Sequence, residues 1–467
     1  MQTTQTPTGQ NPLAYENTGK LILKFAIPSI VSGLVTALYN IVDQIFIGQG
    51  VGILGNAATN VAFPLTSLCT ALTLLLGVGT AANFSLHLGA GRREKAEQIA
   101  GNGIFYLVST GLILSLLVAV FLGPLMHLFG ASQQVYPLAL SYTRITNFGI
   151  PFLLFAVGIS NFIRADGSPT YSMLCTLSGA ILNTILDPIF IRHMGIAGAA
   201  LATVIGQIVS AIMAFSYLFR TKNVTWRRSC FRPSLSLFKD IVSLGMSPFF
   251  NHSAMMLVQI VMNNTLTYYG ALSEYGSEIP MACVGVITKV NVIYIACVIG
   301  TSQGCQPILG FNYGAKLLDR VRRTFWQGLI TVTCISCCFF LCFQLFPRQI
   351  ISIFGKGDEL YYRFGIRYFR IFMMFIFANG FQPICSFLFT AIGKARKGVL
   401  VSMTRQLLFL LPLILIFPRI FGIDGVMYAG PIADGAAAIL AIALVLPELR
   451  RLRSGEEFPT KAPTGHS

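Results

Sequence analysis

Two acidic residues lie inside long apolar stretches of this sequence, each with an oxygen-bearing side chain one helical turn before it. Asp43 stands four positions after Tyr39, and Asp187 stands four positions after Asn183, so in a helix each pair shares one face. Thr203, in a third apolar stretch, adds a hydroxyl group. Carboxylate, amide and hydroxyl oxygens suit Na⁺, whereas two facing carboxyl groups can instead share one proton. The spacing therefore predicts a site for Na⁺ or H⁺, and for no other metal ion.

A structural role is the alternative for these two aspartates. A charged side chain near the centre of a bilayer costs at least about 2.5 to 3.5 kcal/mol, so each needs a partner or a function. Each Asp could hydrogen-bond a neighbouring helix, or lie near the end of a span in contact with water. From spacing alone both interpretations stay open.

Other embedded polar residues are candidates to line a substrate cavity or to bridge helices. This set comprises Asn161, Gln259, Asn263, Gln382, Lys289 and Asp434. For Lys289 and Asp434 we favour a neutralising ion pair within the second half of the chain, because pairing lowers the cost of burying both charges. Asp166 follows an apolar stretch directly, and we expect it to be solvated.

The remaining reactive residue types do not form a catalytic pattern. The 11 cysteines lie mostly in apolar stretches, and the Cys334 to Cys337 spacing has no second pair to complete a zinc site. The histidines are scattered, and no phosphate-binding loop of the Walker type is present. We therefore expect neither an enzyme nor a cofactor beyond the coupling ion.

The elements that must position the candidate site are membrane spans. Hydrophobic residues make up 54% of the chain, charged residues only 11%, and the mean hydropathy is +0.69. The apolar blocks reach the length of about 20 residues that crosses a bilayer. We predict twelve spans, at Leu21–Ile47, Gly55–Leu86, Gln98–Leu122, Tyr136–Ile163, Thr170–Ile191, Gly195–Leu218, Ile241–Tyr269, Pro280–Leu309, Arg323–Phe346, Tyr362–Ala391, Val399–Phe417 and Gly422–Leu446.

The basic residues indicate how these spans are oriented. Loops on one side hold 23 of the 33 Lys and Arg residues, and 6 lie inside or at the edges of spans. Loops on the other side hold only Arg192, Arg348, Lys356 and Arg419. The positive-inside rule places the basic loops in the cytoplasm, together with both termini. The net charge of +16 is thus spread over short loops, which excludes a nucleic-acid-binding face.

An internal repeat divides the chain into two lobes. Tyr142-Thr143-Arg144-Ile145 recurs as Tyr368-Phe369-Arg370-Ile371, and Gly195-Ile196-Ala197-Gly198 recurs as Gly422-Ile423-Asp424-Gly425, both about 225 residues later. We predict an all-α integral membrane protein in which twelve transmembrane helices form two pseudo-symmetric six-helix lobes. The predicted division is a cytoplasmic tail at 1–20, an N-terminal lobe at 21–219, a linker at 220–239, a C-terminal lobe at 240–449 and a cytoplasmic tail at 450–467.

These motifs together resemble the multidrug and toxic compound extrusion (MATE) family, in its bacterial damage-inducible and staphylococcal-type branch. The resemblance covers the chain from about Lys20 to Arg450, and the following segments carry it: Pro28 to Gly48, Arg164 to Gly167, Asn183 to Pro188, Gly195 to Thr203, and Gln306 to Ala315. It implies alternating access between two lobes and export of small amphipathic or cationic molecules in exchange for Na⁺ or H⁺. It also implies a coupling site at Asp43, Asn183, Asp187 and Thr203, with Tyr39 close by.

The resemblance further implies a multi-pass protein of the bacterial cytoplasmic membrane, in contact with lipid, and we expect a monomer. Other branches of the family place acids in spans seven and ten, where this chain has Asn263, Asn264, Asn379 and Gln382. A second-lobe cation site is therefore not expected. The alternative within the superfamily is a flippase for lipid-linked oligosaccharides, which usually has more basic residues in its central cavity. A channel is disfavoured because no filter loop is visible.

Overall fold

The computed structural model describes residues 11–354 and 358–454, and these are helical almost throughout. After a short helix α1 (Pro12–Tyr15), the N-terminal lobe comprises α2 (Thr18–Gly50), α3 (Ile53–Gly89), α4 (Arg93–Leu128), α5 (Tyr136–Ala165), α6 (Pro169–Met194) and α7 (Ile196–Tyr217). The C-terminal lobe comprises α8 (Leu235–Ala271), α9 (Glu278–Gly314), α10 (Leu318–Leu345), α11 (Pro347–Phe354), α12 (Glu359–Phe372), α13 (Ile376–Asn379), α14 (Phe381–Ala391), α15 (Ala395–Met403), α16 (Leu411–Phe421) and α17 (Asp424–Ser454). Of the predicted tails, residues 1–10 and 455–467 lie outside the described residues, as does the loop residue Lys356.

The crossings agree with the predicted twelve spans, with one broken. Among the described residues, 11 helical segments are long and apolar enough to cross a membrane, and α12 with the α13–α14 segment makes a twelfth through a bend of 46°. This broken crossing is the one predicted as a continuous span at Tyr362–Ala391. The prediction of an all-α membrane protein with two six-helix lobes is confirmed.

The repeated glycine motif builds the same tight hairpin in both lobes. Gly195 (φ 60°) is the single residue between α6 and α7, and Gly422 (φ 60°) stands at the corresponding turn after α16. Three residues after each turn, a methyl group on Gly198 would lie 2.2 Å from the carbonyl oxygen of Phe190, and one on Gly425 would lie 2.5 Å from that of Phe417. Positive φ and close backbone approach are both conditions that glycine meets without strain. The repeat therefore encodes an antiparallel helix pair.

The two lobes differ in helix regularity. In the N-terminal lobe, α5 and α6 are continuous. Their counterparts in the C-terminal lobe are interrupted, once at the bend between Phe372 and Ile376, and once by a π-helical segment at Thr404–Leu410 between α15 and α16. Such departures from α-geometry are often found at functional positions. For these two pairs of corresponding crossings, the irregular backbone thus lies in the C-terminal lobe.

Glycines join the lobes along a surface that we call the glycine seam, formed by Gly79, Gly89, Gly245, Gly300, Gly304 and Gly314. A methyl group on Gly245 of α8 would lie 1.7 Å from the carbonyl oxygen of Leu75 in α3, and one on Gly304 of α9 would lie 2.7 Å from the Cα of Ala26 in α2. Every member of the seam would clash with backbone of the opposite lobe in the same way. Small residues let helix backbones approach this closely.

The seam lies towards one end of the helix bundle. We call it the basic end, because the loops that lie there and their flanking residues hold most of the Lys and Arg residues: 90–92, 166–168, 218–234, 315–317 and 392–394.

Asp166 belongs to this end, and the prediction that it is solvated is wrong. Its side chain is fully buried and accepts hydrogen bonds from the backbone N–H groups of Lys222 and Asn223 and from the Tyr217 hydroxyl. Burial raises the pKa of this carboxyl group, while these hydrogen bonds lower it. Asp166 thus ties the start of the interlobe linker to the N-terminal lobe.

The linker also differs from its predicted limits of 220–239. It contains two short 3₁₀ turns, at Leu218–Arg220 and Arg228–Phe231, and α8 already begins at Leu235. The side chain of Asn102 in α4 donates to the carbonyl oxygens of Cys230 and Arg232 and accepts from the N–H of Ser234. The linker is therefore fixed along the N-terminal lobe by buried hydrogen bonds.

Candidate cation and substrate sites

Three helices of the N-terminal lobe bring the predicted cation ligands to one depth. Asp43 lies about seven residues before the end of α2, Asp187 about seven before the end of α6, and Thr203 about seven after the start of α7. At 1.5 Å per residue, each is about 10 Å from the end of the bundle opposite the basic end. Because α6 and α7 are joined by one residue, Asp187 and Thr203 face each other across the hairpin.

Close packing of α6 on α7 allows their side chains to meet. A methyl group on Gly206 would lie 2.7 Å from the carbonyl oxygen of Gly179, and one on Gly179 would lie 2.5 Å from that of Gly206. The side chain of Asn183, one turn beyond Gly179, consequently reaches Thr203, and its amide oxygen accepts from the Thr203 N–H. These two glycines place the predicted amide and hydroxyl ligands side by side.

The two carboxyl groups face each other inside this cluster. Asp187 is fully buried and Asp43 is 8% exposed, and their carboxyl groups lie beside each other. With its amide nitrogen turned to Asp187, Asn183 donates to Oδ2 at 3.2 Å, and its amide oxygen accepts from the Thr203 N–H at 3.2 Å. The Oδ1 atom of Asp43 is buried and has no hydrogen-bond donor within the described part of the chain. Two ionised carboxylates are acceptors only, so this contact requires a proton or a cation between them.

Tyr39 and a tyrosine that the sequence reasoning did not assign complete the cluster. Tyr39 is half-buried one turn before Asp43 and lies close to both carboxyl groups. Tyr142 of α5 lies near the same two groups and near the Thr203 side chain. The signal for Tyr142 was present in the sequence, because it opens the repeated Tyr142 to Ile145 motif, but we used that motif only to recognise the repeat.

The C-terminal lobe contains a cavity of about 160 Å³. Gln259 and Gln382, both predicted to line a cavity, are among its lining residues. Gln259 donates to the Asn263 side chain at 2.8 Å. Gln382 donates to the carbonyl oxygens of Val401 and Ser402, directly before the π-helical segment, so its amide also stabilises the irregular backbone there.

The structure corrects the assignments of the remaining candidates. Asp434 is not paired with Lys289, because the Nε of Arg405 binds its Oδ1 atom and Asn379 donates to the same atom at 3.3 Å. Lys289 is exposed and stands beside the lining residue Thr288 without lining the cavity itself. Arg405 sits within an apolar stretch, and the sequence reasoning passed over it.

Asn161 does not belong to this cavity either. It lies near the end of α5 at the basic end of the N-terminal lobe, where its side-chain oxygen accepts from the Arg164 guanidinium at 2.6 Å. Arg164 also donates to Ser172 of α6 at 3.2 Å. The structure therefore places Asn161 in a buried network that joins α5 to α6.

Comparison with known proteins finds the same two-lobe organisation. The MatE family profile matches residues 28–189 and again residues 253–416, one match in each lobe. The multidrug export protein MepA of Staphylococcus aureus is 24% identical over 435 residues, which cover 91% of this chain and 93% of MepA.

Two solved structures share the fold. A MOP superfamily transporter from Pyrococcus furiosus superimposes with a TM-score of 0.88 at 23% identity, over 97% of this chain and all of that chain. A MATE family transporter of the MOP superfamily in an outward-facing conformation gives a TM-score of 0.87 at 23% identity, over 98% of this chain and all of that chain. The paired family matches, which together span more than half of the residues, confirm the sequence resemblance, and the chain belongs to the MatE family of membrane transporters.

Proposed function

We propose that this protein is a secondary active multidrug or metabolite exporter, which exchanges small amphipathic or cationic molecules for Na⁺ or H⁺. The observation that carries the proposal is the buried contact between Asp43 and Asp187, with an acceptor atom of Asp43 left without a donor. A site in which two carboxylates need a cation or a proton is what coupling to an ion gradient requires. The multidrug export protein MepA, which aligns along almost the whole chain, supports the choice of cargo.

Alternating access between the lobes supplies the transport step in this proposal. The glycine seam holds the lobes together near the basic end, whereas the cation cluster lies in the opposite halves of its helices. Rocking of one lobe against the other would break this seam and expose the substrate cavity to the other side of the membrane. A flippase is less favoured, because Arg405 is the single basic residue among the described residues lining the C-terminal cavity.

Imposing the two gradients separately tests the coupling. In proteoliposomes loaded with a fluorescent amphipathic cation, we expect an inward Na⁺ gradient or an inward proton gradient to drive export at a rate well above that of protein-free liposomes. If Asp43 and Asp187 bind the coupling ion, a gradient of that ion drives export through the protein. Protein-free liposomes then show only leakage of the cation across the lipid. Export that responds to neither gradient would contradict the exchange mechanism.

The orientation of the chain has its own test. We propose that the basic end faces the bacterial cytoplasm, with both termini there, because its loops hold most of the Lys and Arg residues. A membrane-impermeant thiol reagent should then label cysteines introduced near Arg92, Arg228 and Arg396 only from the cytoplasmic side. A cysteine introduced near Glu274 should be labelled only from the opposite side. Labelling near Arg228 and near Glu274 from the same side would contradict the twelve-span topology.

A further inference from the structure

The cavity of the C-terminal lobe lies where that lobe departs from regular helix geometry. Its walls include Phe372 and Met373 at the broken crossing, and Arg405 and Gln406 of the π-helical segment. The corresponding helices of the N-terminal lobe have neither interruption. In transporters, discontinuous helices commonly frame the substrate site, because they direct polar groups into the protein interior. Interrupted helices thus surround this cavity, as they commonly do at the substrate sites of transporters.

Arg405 is the one charged residue among the described residues that line this cavity. Its side chain is only 13% exposed, and its Nε donates to Asp434, which lies behind it and is 2% exposed. A guanidinium group has five N–H donors in a planar fork. Within the described part of the chain, the acceptor found for Arg405 is Asp434, which the Nε atom binds, and no acceptor is found for the two terminal nitrogens of this cavity-lining side chain. The outer edge of the fork is therefore available to a ligand in the cavity.

The chemistry of this edge selects the ligand. A carboxylate binds the two terminal nitrogens of a guanidinium in a bidentate manner, and such charge-assisted hydrogen bonds are among the strongest in proteins. Arg405 and Asp434 together are neutral, so an added carboxylate leaves one uncompensated negative charge in a buried place. A ligand that carries its own cationic group avoids this cost. The guanidinium thus favours a zwitterion over a simple anion.

The rest of the lining suits an aromatic ligand with a polar group. Tyr368 and Phe372 stack with ring centroids 4.9 Å apart, and Met255 and Met262 add adaptable apolar surface. The aromatic rings also attract a cationic group. Resting on the proposed export function, we propose that this cavity binds zwitterionic aromatic carboxylates, with the carboxylate on Arg405 and the ring against Tyr368 and Phe372.

Binding of phenylalanine and two derivatives to the purified full-length protein tests this proposal without any gradient. The dissociation constants come from the dependence of thermal unfolding on ligand concentration. We expect phenylalanine to bind at least about tenfold more tightly than its methyl ester, which lacks the carboxylate, and more tightly than N-acetylphenylalanine, which lacks the ammonium group. Equal affinity for phenylalanine and its ester would overturn the role of Arg405, and equal affinity for the N-acetyl form would overturn the preference for a zwitterion.

Variants assign the effect to the guanidinium. The double substitution Arg405→Met with Asp434→Asn removes both charges together and should abolish the preference for the acid over the ester. Arg405→Lys keeps a positive charge beside Asp434 but lacks the two terminal nitrogens of the guanidinium, so it should reduce the preference for the acid over the ester. This variant tests the role of the guanidinium even if the double variant does not fold. An unchanged preference in Arg405→Lys would contradict bidentate binding. Because thermal unfolding needs no ion gradient, selective binding of phenylalanine can be observed even if gradient-driven export fails, so the two failures are distinguishable.

Discussion

Asp43→Asn and Asp187→Asn are each expected to reduce gradient-driven export to the rate of protein-free liposomes. The two carboxyl groups are in contact and buried, and an asparagine at either position removes the charge that attracts the ion. An ion can drive a conformational change only through its different affinity for the two states, and without the charge this difference is lost. Folding should survive, because a neutral amide is cheaper to bury in a membrane than a carboxylate.

The measurement is efflux under an imposed Na⁺ or proton gradient, normalised to the amount of protein in the membrane. Asp240→Asn is the matched control, because its carboxyl group is 46% exposed and makes a surface ion pair with Lys95 near the basic end. The control should transport as the unmodified protein does. Wild-type rates in both Asp43→Asn and Asp187→Asn would move the coupling site elsewhere and refute the assignment.

Gly300→Ala and Gly245→Ala are expected to lower export by about tenfold or more. Here the cause is a steric clash between the lobes and not the loss of an ion ligand. The added methyl group on Gly300 would lie 2.7 Å from the backbone nitrogen of Ile30, and that on Gly245 would lie 1.7 Å from the carbonyl oxygen of Leu75. Neither contact can be relieved by rotating a side chain, so the lobes must separate along the seam. The population of the seam-closed state falls about tenfold for each 1.4 kcal/mol by which this state is destabilised, and export that must pass through this state slows accordingly.

A second readout reports on the seam itself. Ser29 is 3% exposed and lies on the seam-facing side of α2 with Ala26 and Ile30, so Ser29→Cys places a thiol of similar size there. Its labelling by a maleimide should be slow in the parent protein and faster after Gly300→Ala. Gly285→Ala on the same helix is the control, because a methyl group at Gly285 meets no atom within 4 Å. Unchanged export together with unchanged labelling would show that the closed seam is not part of the cycle.

Much of the fold was predictable from the sequence because the bilayer imposes strong and local rules. A span needs about 20 apolar residues and cannot leave backbone polar groups exposed to lipid, so helix number follows from hydropathy alone. The Gly195 and Gly422 motifs marked the repeat because a turn of one or two residues with positive φ between packed helices tolerates few other residues. Five members of the N-terminal cluster were also named from the sequence, because an acid in a span is costly and therefore informative: Tyr39, Asp43, Asn183, Asp187 and Thr203.

What the sequence could not determine were the contacts between distant residues. Pairing Asp434 with Lys289 was wrong, because Arg405 reaches it through a π-helical segment whose register no hydropathy pattern reveals. Asp166 was assigned to solvent because its hydrogen-bond partners, Lys222 and Asn223, lie more than 50 residues away. Tyr142 joins the cation cluster for the same reason: only the packing of α5 against α7 decides which face of its helix meets Thr203. The sequence by itself thus determined the spans, the repeat and the buried acids that need a partner. Only the tertiary structure decided which residues are those partners, because the contacts depend on how each helix is rotated and on the interrupted helices of the C-terminal lobe.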